Sequence, residues 1–436
     1  MDPIILSRIQ FAITVGYHYI FPPMSIGLGI LLVIMEGIFL KTKNPLYEKL
    51  TKFWVKIFAL IFGFGVASGF VMELQFGTNW SQYSRFVGDV FGSPLAAEGL
   101  FAFFLESAFL AVLVFGWKKV SPRMHFFSTI MVALGAHLSA LWIIVANSWQ
   151  QTPSGYHIVT NGNFARAEIT DFWAMVFNPS TVERLTHTLS AAWITGACLV
   201  AAVSAYHLLK KINVESAKRA LKISVVVLFI ASLFQLYTGH TSANGVARYQ
   251  PTKLAALEGH YKTGPADMYL IGWVNEKEEI TYGIKLPGML SWLVSWDSKT
   301  VIKGLKDYPK GDRPPVNIVF QTYHVMVLFG MFFIFISALS LFLFRGGKIF
   351  NMKWLLIPYV FSILFAQLSN QLGWMSAEIG RQPWIVYGLL RTKDAISVTV
   401  SGGEVLFSVI LFSCIYLLLF TIFIWLMFKQ IKKEII

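Results

Sequence analysis

His18, Glu36, Glu73, Glu98, Glu106, His137, His187, His207 and His324 all fall inside long apolar stretches of a 436-residue chain, and Glu378 sits just beyond another. An ionisable group at membrane depth is costly, so each is a candidate for a functional role. Some have plainer explanations. Glu36 and His207 lie near the ends of their stretches, where a side chain reaches the headgroups, and His125 opens its own stretch at the interface. His137 serves equally well as a packed hydrogen-bonder between helices. Glu73, Glu98 and Glu106 are harder to set aside. With no Lys or Arg at the same depth, a buried carboxyl must be protonated, metal-bound or connected to water. Glu98 and Glu106 are eight residues apart. On a helix that places them about 80° apart and roughly two turns along, as successive stations of a proton path.

His18, His187 and Met326 form a second set, each within an apolar stretch. Imidazole, thioether and carboxylate are the side chains that hold haem iron axially, and a His/Met pair raises its potential. Equally, a lone intramembrane His bonds a neighbouring helix and a Met fills a core, and spacing alone does not choose. Past the eighth stretch comes Gly380–Trp384, GRQPW, preceded by Trp374 and Glu378. Two tryptophans and a proline turn suit an interfacial anchor. Arg381 also suits an anionic partner such as a haem propionate.

These residues need helices that cross a bilayer. The chain is 56% hydrophobic and 14% charged, against about 25% charged in a soluble domain. Apolar runs at 14–39, 56–76, 95–117, 125–147, 184–209, 221–239, 316–344, 354–374 and 404–428 predict an all-α integral membrane protein of about nine spans. The chain divides into 1–239 with six spans, a long polar segment at 240–315, and 316–436 with three more. No internal repeat is visible, which disfavours a transporter built on Glu73, Glu98 and Glu106. The net charge of +13 could suit nucleic acid, but the cations sit in short loops between spans. Lys41, Lys43, Lys49, Lys118, Lys119, Lys210, Lys211, Lys218, Lys353 and the tail lysines alternate with sparse loops carrying Arg85, Arg166, Arg381, Arg391 and Lys393. The positive-inside rule then places the N-terminus outside and the C-terminus in the cytoplasm. Cys198 and Cys414 both lie in apolar runs and give neither a disulfide framework nor a CxxCH site. No charged n-region precedes the first span, so no cleaved leader is expected. The segment 240–315, with Trp273, Trp292 and Trp296, predicts a folded cap over an outer-surface site.

Six blocks carry a resemblance: LSRIQFAITVGYHYIF (Leu6–Phe21), MELQFGTNW (Met72–Trp80), SPLAAEGLFAFFLES (Ser93–Ser107), LSALWIIVANSW (Leu138–Trp149), KLAALE (Lys253–Glu258) and GRQPW. In this order they resemble subunit I of the cytochrome bd quinol oxidases of bacterial cell membranes, over nearly the whole chain. The resemblance implies a haem-bearing subunit that oxidises quinol at the outer face. It reduces dioxygen to water with cytoplasmic protons, generating a proton-motive force without pumping. It implies His187 and Met326 as ligands of a low-spin haem b. Glu378 is assigned to a high-spin haem b and His18 to haem d, the reverse remaining open. Glu98 then lies at the haem d site, with Glu106 and Ser139 on a proton pathway and Glu73 as a further carboxylate. Lys253 and Glu258 bind quinol in the outer Q-loop, and Arg381, beside Trp374, meets the haem propionates. His324 stands where the family has an arginine, so a propionate contact there becomes pH-dependent. The stretch between Glu258 and the seventh span is short and resembles the short Q-loop subclass. The implied partners are a second large membrane subunit, subunit II, and a small single-span subunit.

Overall fold

The computed structural model describes residues 2–162, 164–344, 347–433 and 435. Among them nine helical stretches are long and apolar enough to cross a membrane. Helices are the expected solution in lipid, because each backbone polar group must find its partner within the segment.

The first span is two helices rather than one run, α1 (Pro3–His18) and α2 (Phe21–Thr42). Asp2 caps α1 by accepting from the Ile4 N–H, and Pro3 fills a first-turn position that needs no donor. The interruption at Tyr19–Ile20 has a local cause. Pro22 and Pro23 lack the N–H groups that would bond the carbonyls one turn back. Two glutamines of the eighth span bond carbonyls on either side of the break: Gln371 donates to Gly16 O and Gln367 to Ile20 O, each at 2.8 Å. His18 therefore stands at a built-in break.

α3 (Pro45–Thr78) starts at an Asn44 cap. The third span is α4 (Ser81–Ala97), a π-helical segment over Glu98–Phe103 and α5 (Phe104–Phe115). It is longer than the stretch expected from residue 95. α6 (Pro122–Gln151) starts at a Ser121 cap. A hairpin of β1 (Tyr156–Asn161) and β2 (Phe164–Ile169) follows, then α7 (Phe172–Val176), α8 (Thr181–Lys210) and α9 (Val214–Tyr249). The helix of α9 thus takes the first part of the segment assigned to the outer loop. That loop is folded, as expected. It holds α10 (Pro251–Leu257), the pair β3 (Gly264–Pro265) with β6 (Val301–Ile302), the hairpin β4 (Met268–Asn275) with β5 (Ile280–Leu286), and α11 (Met289–Ser295). The last spans are α12 (Val316–Leu343), α13 (Lys353–Ile379) and α14 (Gly402–Ile431), with a short pair β7 (Trp384–Val386) and β8 (Leu390–Arg391) between the last two.

Two helix groups result. In one, α8, α9, α12 and α13 pack in a closed ring, each against two neighbours. In the other, α6 packs on α2 and α5, while α1 packs on α3 and α14. The groups join where α2 crosses α8 through two glycines. An added Cβ at Gly27 would stand 2.1 Å from Ala192 O, and one at Gly196 would stand 2.2 Å from the Gly27 carbonyl carbon. Close backbone approach through small residues is how helices associate tightly in lipid. Gly196→Val should therefore cost more than the about 1–3 kcal/mol of ordinary overpacking, since backbone rather than a side chain blocks the new atoms. Gly63→Ala, with nothing within 4 Å of its new atom, is the matched control. Thermal unfolding in detergent checks this; equal midpoints for the two variants would refute the crossing argument.

Candidate functional site

In the four-helix ring, His187 lies on α8 and Met326 on α12, which are diagonal to one another. Both face glycines. An added Cβ at Gly239 would lie 3.4 Å from His187 Cε1, and one at Gly373 would lie 2.9 Å from Met326 Sδ. The His187 ring has Thr238 Oγ1 at 3.2 Å from Nδ1, and Gln235 Nε2 at 3.2 Å from Nδ1 and 3.0 Å from Nε2.

At the break between α1 and α2, His18 Nδ1 lies 3.0 Å from Ser68 Oγ, and the ring sits on Gly69, where a Cβ would come within 3.2 Å. Its Nε2 has no hydrogen-bond partner among the described residues. His137 contrasts with it. Its Nδ1 donates to Ala133 O at 2.7 Å and its Nε2 accepts from Trp193 at 2.9 Å. Both nitrogens are used, so His137 is the interhelical hydrogen-bonder. Glu98 opens the π-helical segment and accepts from Ser139 Oγ at 2.8 Å. π-turns interrupt helices most often at functional sites. Glu106 is 6% exposed and lies against Gly135 of α6, where an added Cβ would stand 2.9 Å from Glu106 Cβ. Glu73 departs from the expectation of burial. It faces outward from α3 beside Phe70 and Leu74, on the side of this chain.

Where α6, α8, α10 and α13 converge, Glu378 pairs with Arg381 and also accepts from Asn147 at 3.2 Å and Gln151 at 3.1 Å. Arg184 reaches within 4.0 Å of the same carboxylate, donates to Asn147 Oδ1 and lies over the Trp374 ring at 5.8 Å. Sequence reasoning missed Arg184. The available signal was a cation three residues before His187, inside the span and at its lysine-poor end. Lys253 is 3% exposed and donates to Gln151 Oε1 at 2.6 Å. Burial and Arg184 push its ammonium well below the usual range, against the pull of Glu378. Lys253 and Glu258 occupy opposite ends of α10. Glu258 is also 3% exposed, its Oε2 is buried without a partner, and burial pushes its carboxyl up to about 8. A cavity of about 220 Å³ opens beside Lys253 and Arg381, with Tyr308, Trp384 and Tyr387 in its wall.

Other expectations change. His324 has Phe320 O and Tyr269 O each at 2.8 Å from its ring nitrogens. Nε2 clips α12 to β4 of the loop at Tyr269 O, while Nδ1 lies on the Phe320 carbonyl of its own helix. Glu36 does not reach the surface. At 2% exposure it lies 2.6 Å from His125 Nδ1 and accepts from Thr129 at 2.5 Å, while His125 Nε2 faces Leu113 O. The carboxyl lies too far inside α2 to snorkel and finds its partners on α6 instead. His125, in the first turn of α6, is buried with it. His207 is likewise buried, 2.7 Å from Ile431 O.

Among the described residues no three His, Cys, Asp or Glu gather as an ion site. The candidate donors stand singly or as a diagonal pair, which is the number axial ligation of haem iron requires. Buried Arg184 Nε and Arg381 Nε without partners add donors suited to carboxylates. The residues present fit a haem.

The family described as cytochrome bd terminal oxidase subunit I matches residues 6–435. Subunit 1 of the cytochrome bd ubiquinol oxidase of Bacillus subtilis (strain 168) is 40% identical, covering 99% of this chain and 94% of that protein. Subunit 1 of the cytochrome bd-II ubiquinol oxidase of Escherichia coli (strain K12) is 34% identical, covering 99% and 96%. The solved structure of the bd oxidase from Geobacillus thermodenitrificans superposes with a TM-score of 0.92 at 29% identity, covering 98% of each chain. A match of this extent, on a nine-span fold with these intramembrane donors, places the chain in the cytochrome bd terminal oxidase subunit I family, a quinol:oxygen oxidoreductase of the bacterial cytoplasmic membrane.

Proposed function

We propose that this chain oxidises quinol at its loop-bearing end and passes the electrons to dioxygen. The protons for water come from the lysine-rich end and none are pumped. The positive-inside rule makes the lysine-rich end cytoplasmic and puts the loop outside. The observation that carries the reading is where the candidate groups lie. The orphaned guanidinium N–H groups of Arg184 and Arg381 lie toward the loop, while the carboxyls Glu98 and Glu106 line up along α6.

Bound haem iron supplies the electron relay and the oxygen chemistry. The protein's residues do the rest. His187 and Met326 would hold a low-spin haem b, with Thr238 Oγ1 beside His187 Nδ1 to orient the ring. Glu378 would hold a high-spin haem b and His18 haem d, or the reverse, with Trp374 and Arg381 flanking Glu378. Glu258 takes a quinol proton at its unpartnered Oε2. Glu106 receives protons from the cytoplasmic side and passes them by way of Ser139 to Glu98. Glu73 lies off this path. Subunit II and a small single-span subunit complete the complex.

Three expected outcomes follow from these roles. His187→Ala or Met326→Leu should remove or convert the low-spin haem. Quinol-driven turnover should fall by more than the about 10–100-fold that loss of a supporting contact costs. An artificial donor should still reduce the oxygen site, and an unchanged low-spin spectrum in both variants would end the assignment. Glu106→Gln keeps shape and hydrogen bonds but cannot release a proton. Haems should remain while oxygen consumption falls by about 10²–10⁴-fold. Full oxygen consumption with intact proton uptake in liposomes would exclude it as an essential station. Glu258, its carboxyl pushed up to about 8 by burial, is mostly protonated at neutral pH and accepts only when ionised. Below pH 8, kcat/KM for quinol should rise about tenfold per unit, then level off, and Glu258→Gln should flatten that limb. A parallel limb in Glu258→Gln would assign the base elsewhere.

A further inference from the structure

The β4–β5 hairpin of the outer loop lies along the first turns of α12, and three contacts fix how it lies. Val274 N–H donates to Asn317 Oδ1 at 3.1 Å, Gln321 Nε2 donates to Gly272 O at 2.7 Å, and His324 Nε2 is 2.8 Å from Tyr269 O. From Asn317 to His324 the helix advances about 10 Å, so β4 runs that far down its side. The inner face of the hairpin permits close approach. An added Cβ at Gly272 would stand 3.1 Å from the Phe320 ring, and Thr281 Oγ1 donates at 2.7 Å to the carbonyl of Gly259, the residue after Glu258. The outer face is unlike one made for water. A two-stranded sheet with one packed face ordinarily turns polar residues outward. Here Ile271 and Trp273 stand opposite Ile284 and Tyr282, and these four are 52–71% exposed. Ile280 and Leu286, on the same side of β5, are exposed as well. The charges gather instead at the tip, where residues 276–279 read EKEE. Tyr282 points its hydroxyl that way and donates to Glu278 at 2.7 Å.

The depth of this face follows from α12, which has no Asp, Glu, Lys or Arg between Val316 and Leu343. Leu328, Met331, Phe335 and Phe342 form an exposed row that descends from His324 at helical spacing. Phe342 lies about 27 Å below His324 at 1.5 Å per residue, close to the about 30 Å of a hydrocarbon core. The outer edge of that core therefore falls within about a turn of His324, level with Ile271 and Ile284. Trp273 and Tyr282 stand higher, where amphipathic rings suit the headgroups. The neighbouring span repeats the pattern: Tyr237 of α9 is exposed, and above it Trp296 packs edge-on against His240. An apolar face continuous with a lipid-facing row, at the level where the bilayer ends and with its charges at the far tip, fits a lipid surface. We propose that the outward face of the β4–β5 hairpin is a membrane anchor, seated in the outer leaflet beside α12, and that it fixes the height of Glu258 relative to the lipid from which a long-tailed quinol arrives. The second clause rests on the quinol reading above; the first does not.

The test places a spin label at Ile271→Cys, at Ile284→Cys and, on the tip, at Glu278→Cys in the assembled oxidase. Exposed Cys414 is replaced by serine and buried Cys198 is kept. In phosphatidylcholine–phosphatidylglycerol bilayers, collisions with oxygen, which concentrates in lipid, are compared with collisions with a water-soluble nickel chelate. The oxygen-to-nickel ratio at Ile271 and Ile284 should exceed that at Glu278 severalfold. Ratios equal to that at Glu278 would overturn the anchor. Labels shielded from both reagents would also overturn it and assign the face to a protein partner. Ile271→Asp combined with Ile284→Asp should raise KM severalfold for a long-tailed quinol dissolved in the bilayer and leave KM unchanged for a short-tailed, water-soluble one. An equal rise for both quinols would mean that the hairpin only shapes the surroundings of Glu258, and would overturn the height role. If the double variant fails to assemble, Ile284→Ser must show the same selective rise. A wild-type oxidase that turns over neither quinol would defeat the quinol reading, and the label ratios would then decide the anchor alone.

Discussion

A polar group withdrawn from water among apolar helices must be bonded, either by another part of the chain or by something the chain holds. That requirement sorts the intramembrane residues. Glu36, His125 and Thr129 satisfy one another and Leu113 O, His137 bridges Ala133 and Trp193, and His207 bonds Ile431 O. Each such group is closed and binds helices together. Among the charged side chains of the described residues a different set stays open: Glu258 at Oε2, and Arg184 and Arg381 at Nε. Glu258 and Arg381 are residues the resemblance assigns to substrate and cofactor, and Arg184 reaches the same Glu378 that pairs with Arg381. A residue's type therefore says less than whether its bonding is complete.

The fold serves this division by withholding atoms at chosen places. Gly27 and Gly196 let α2 and α8 touch backbone to backbone, which locks the two helix groups together. Gly69, Gly239 and Gly373 each lie against a candidate ligand, His18, His187 and Met326 respectively. At the prolines after His18 the helix loses donors of its own, and the α13 glutamines bond the backbone on either side of the break. α13 thus steadies the break that carries His18 and, further along, presents Glu378.

Much of this was legible in order of residues, and some was not. Hydropathy located all nine spans, because lipid demands long apolar helices. It misjudged their ends, since α3 and α9 continue as polar helix beyond the apolar run. The split first span escaped it too, because two prolines leave mean hydropathy high. The motif blocks contain His18, Glu98, Glu106, Ser139 and Arg381, the resemblance they carry added His187, Met326 and Glu378, and the Glu98–Ser139 and Glu378–Arg381 contacts are present. What escaped depended on long-range pairing. Glu36 and His125 are 89 residues apart, and Arg184 meets Asn147 and Glu378 from distant stretches. His324 was read against the family's arginine, yet the partner of its Nε2, Tyr269 O, belongs to a loop hairpin whose path no local spacing reveals.

The two ends of the site communicate through α6. Gly135 abuts Glu106, Ser139 bonds Glu98, Asn147 bonds Glu378, and Gln151 bonds both Glu378 and Lys253. These positions follow an i, i+4 row with Ile143 between. Four residues turn a helix by about 400°, so the row drifts by about 40° at each step. From Gly135 to Gln151 it advances about 24 Å and winds from the α5 side toward α8 and α13. One helix thereby faces the carboxyls proposed to carry protons with its first half and the cluster of Glu378 and Lys253 with its second. No charged residue of α6 lies on that row; its groups are a glycine, a hydroxyl and two amides. Such groups bond carboxyls in either protonation state without competing for the proton. A row of neutral partners can hold acids in register along a path while leaving the proton to the acids themselves.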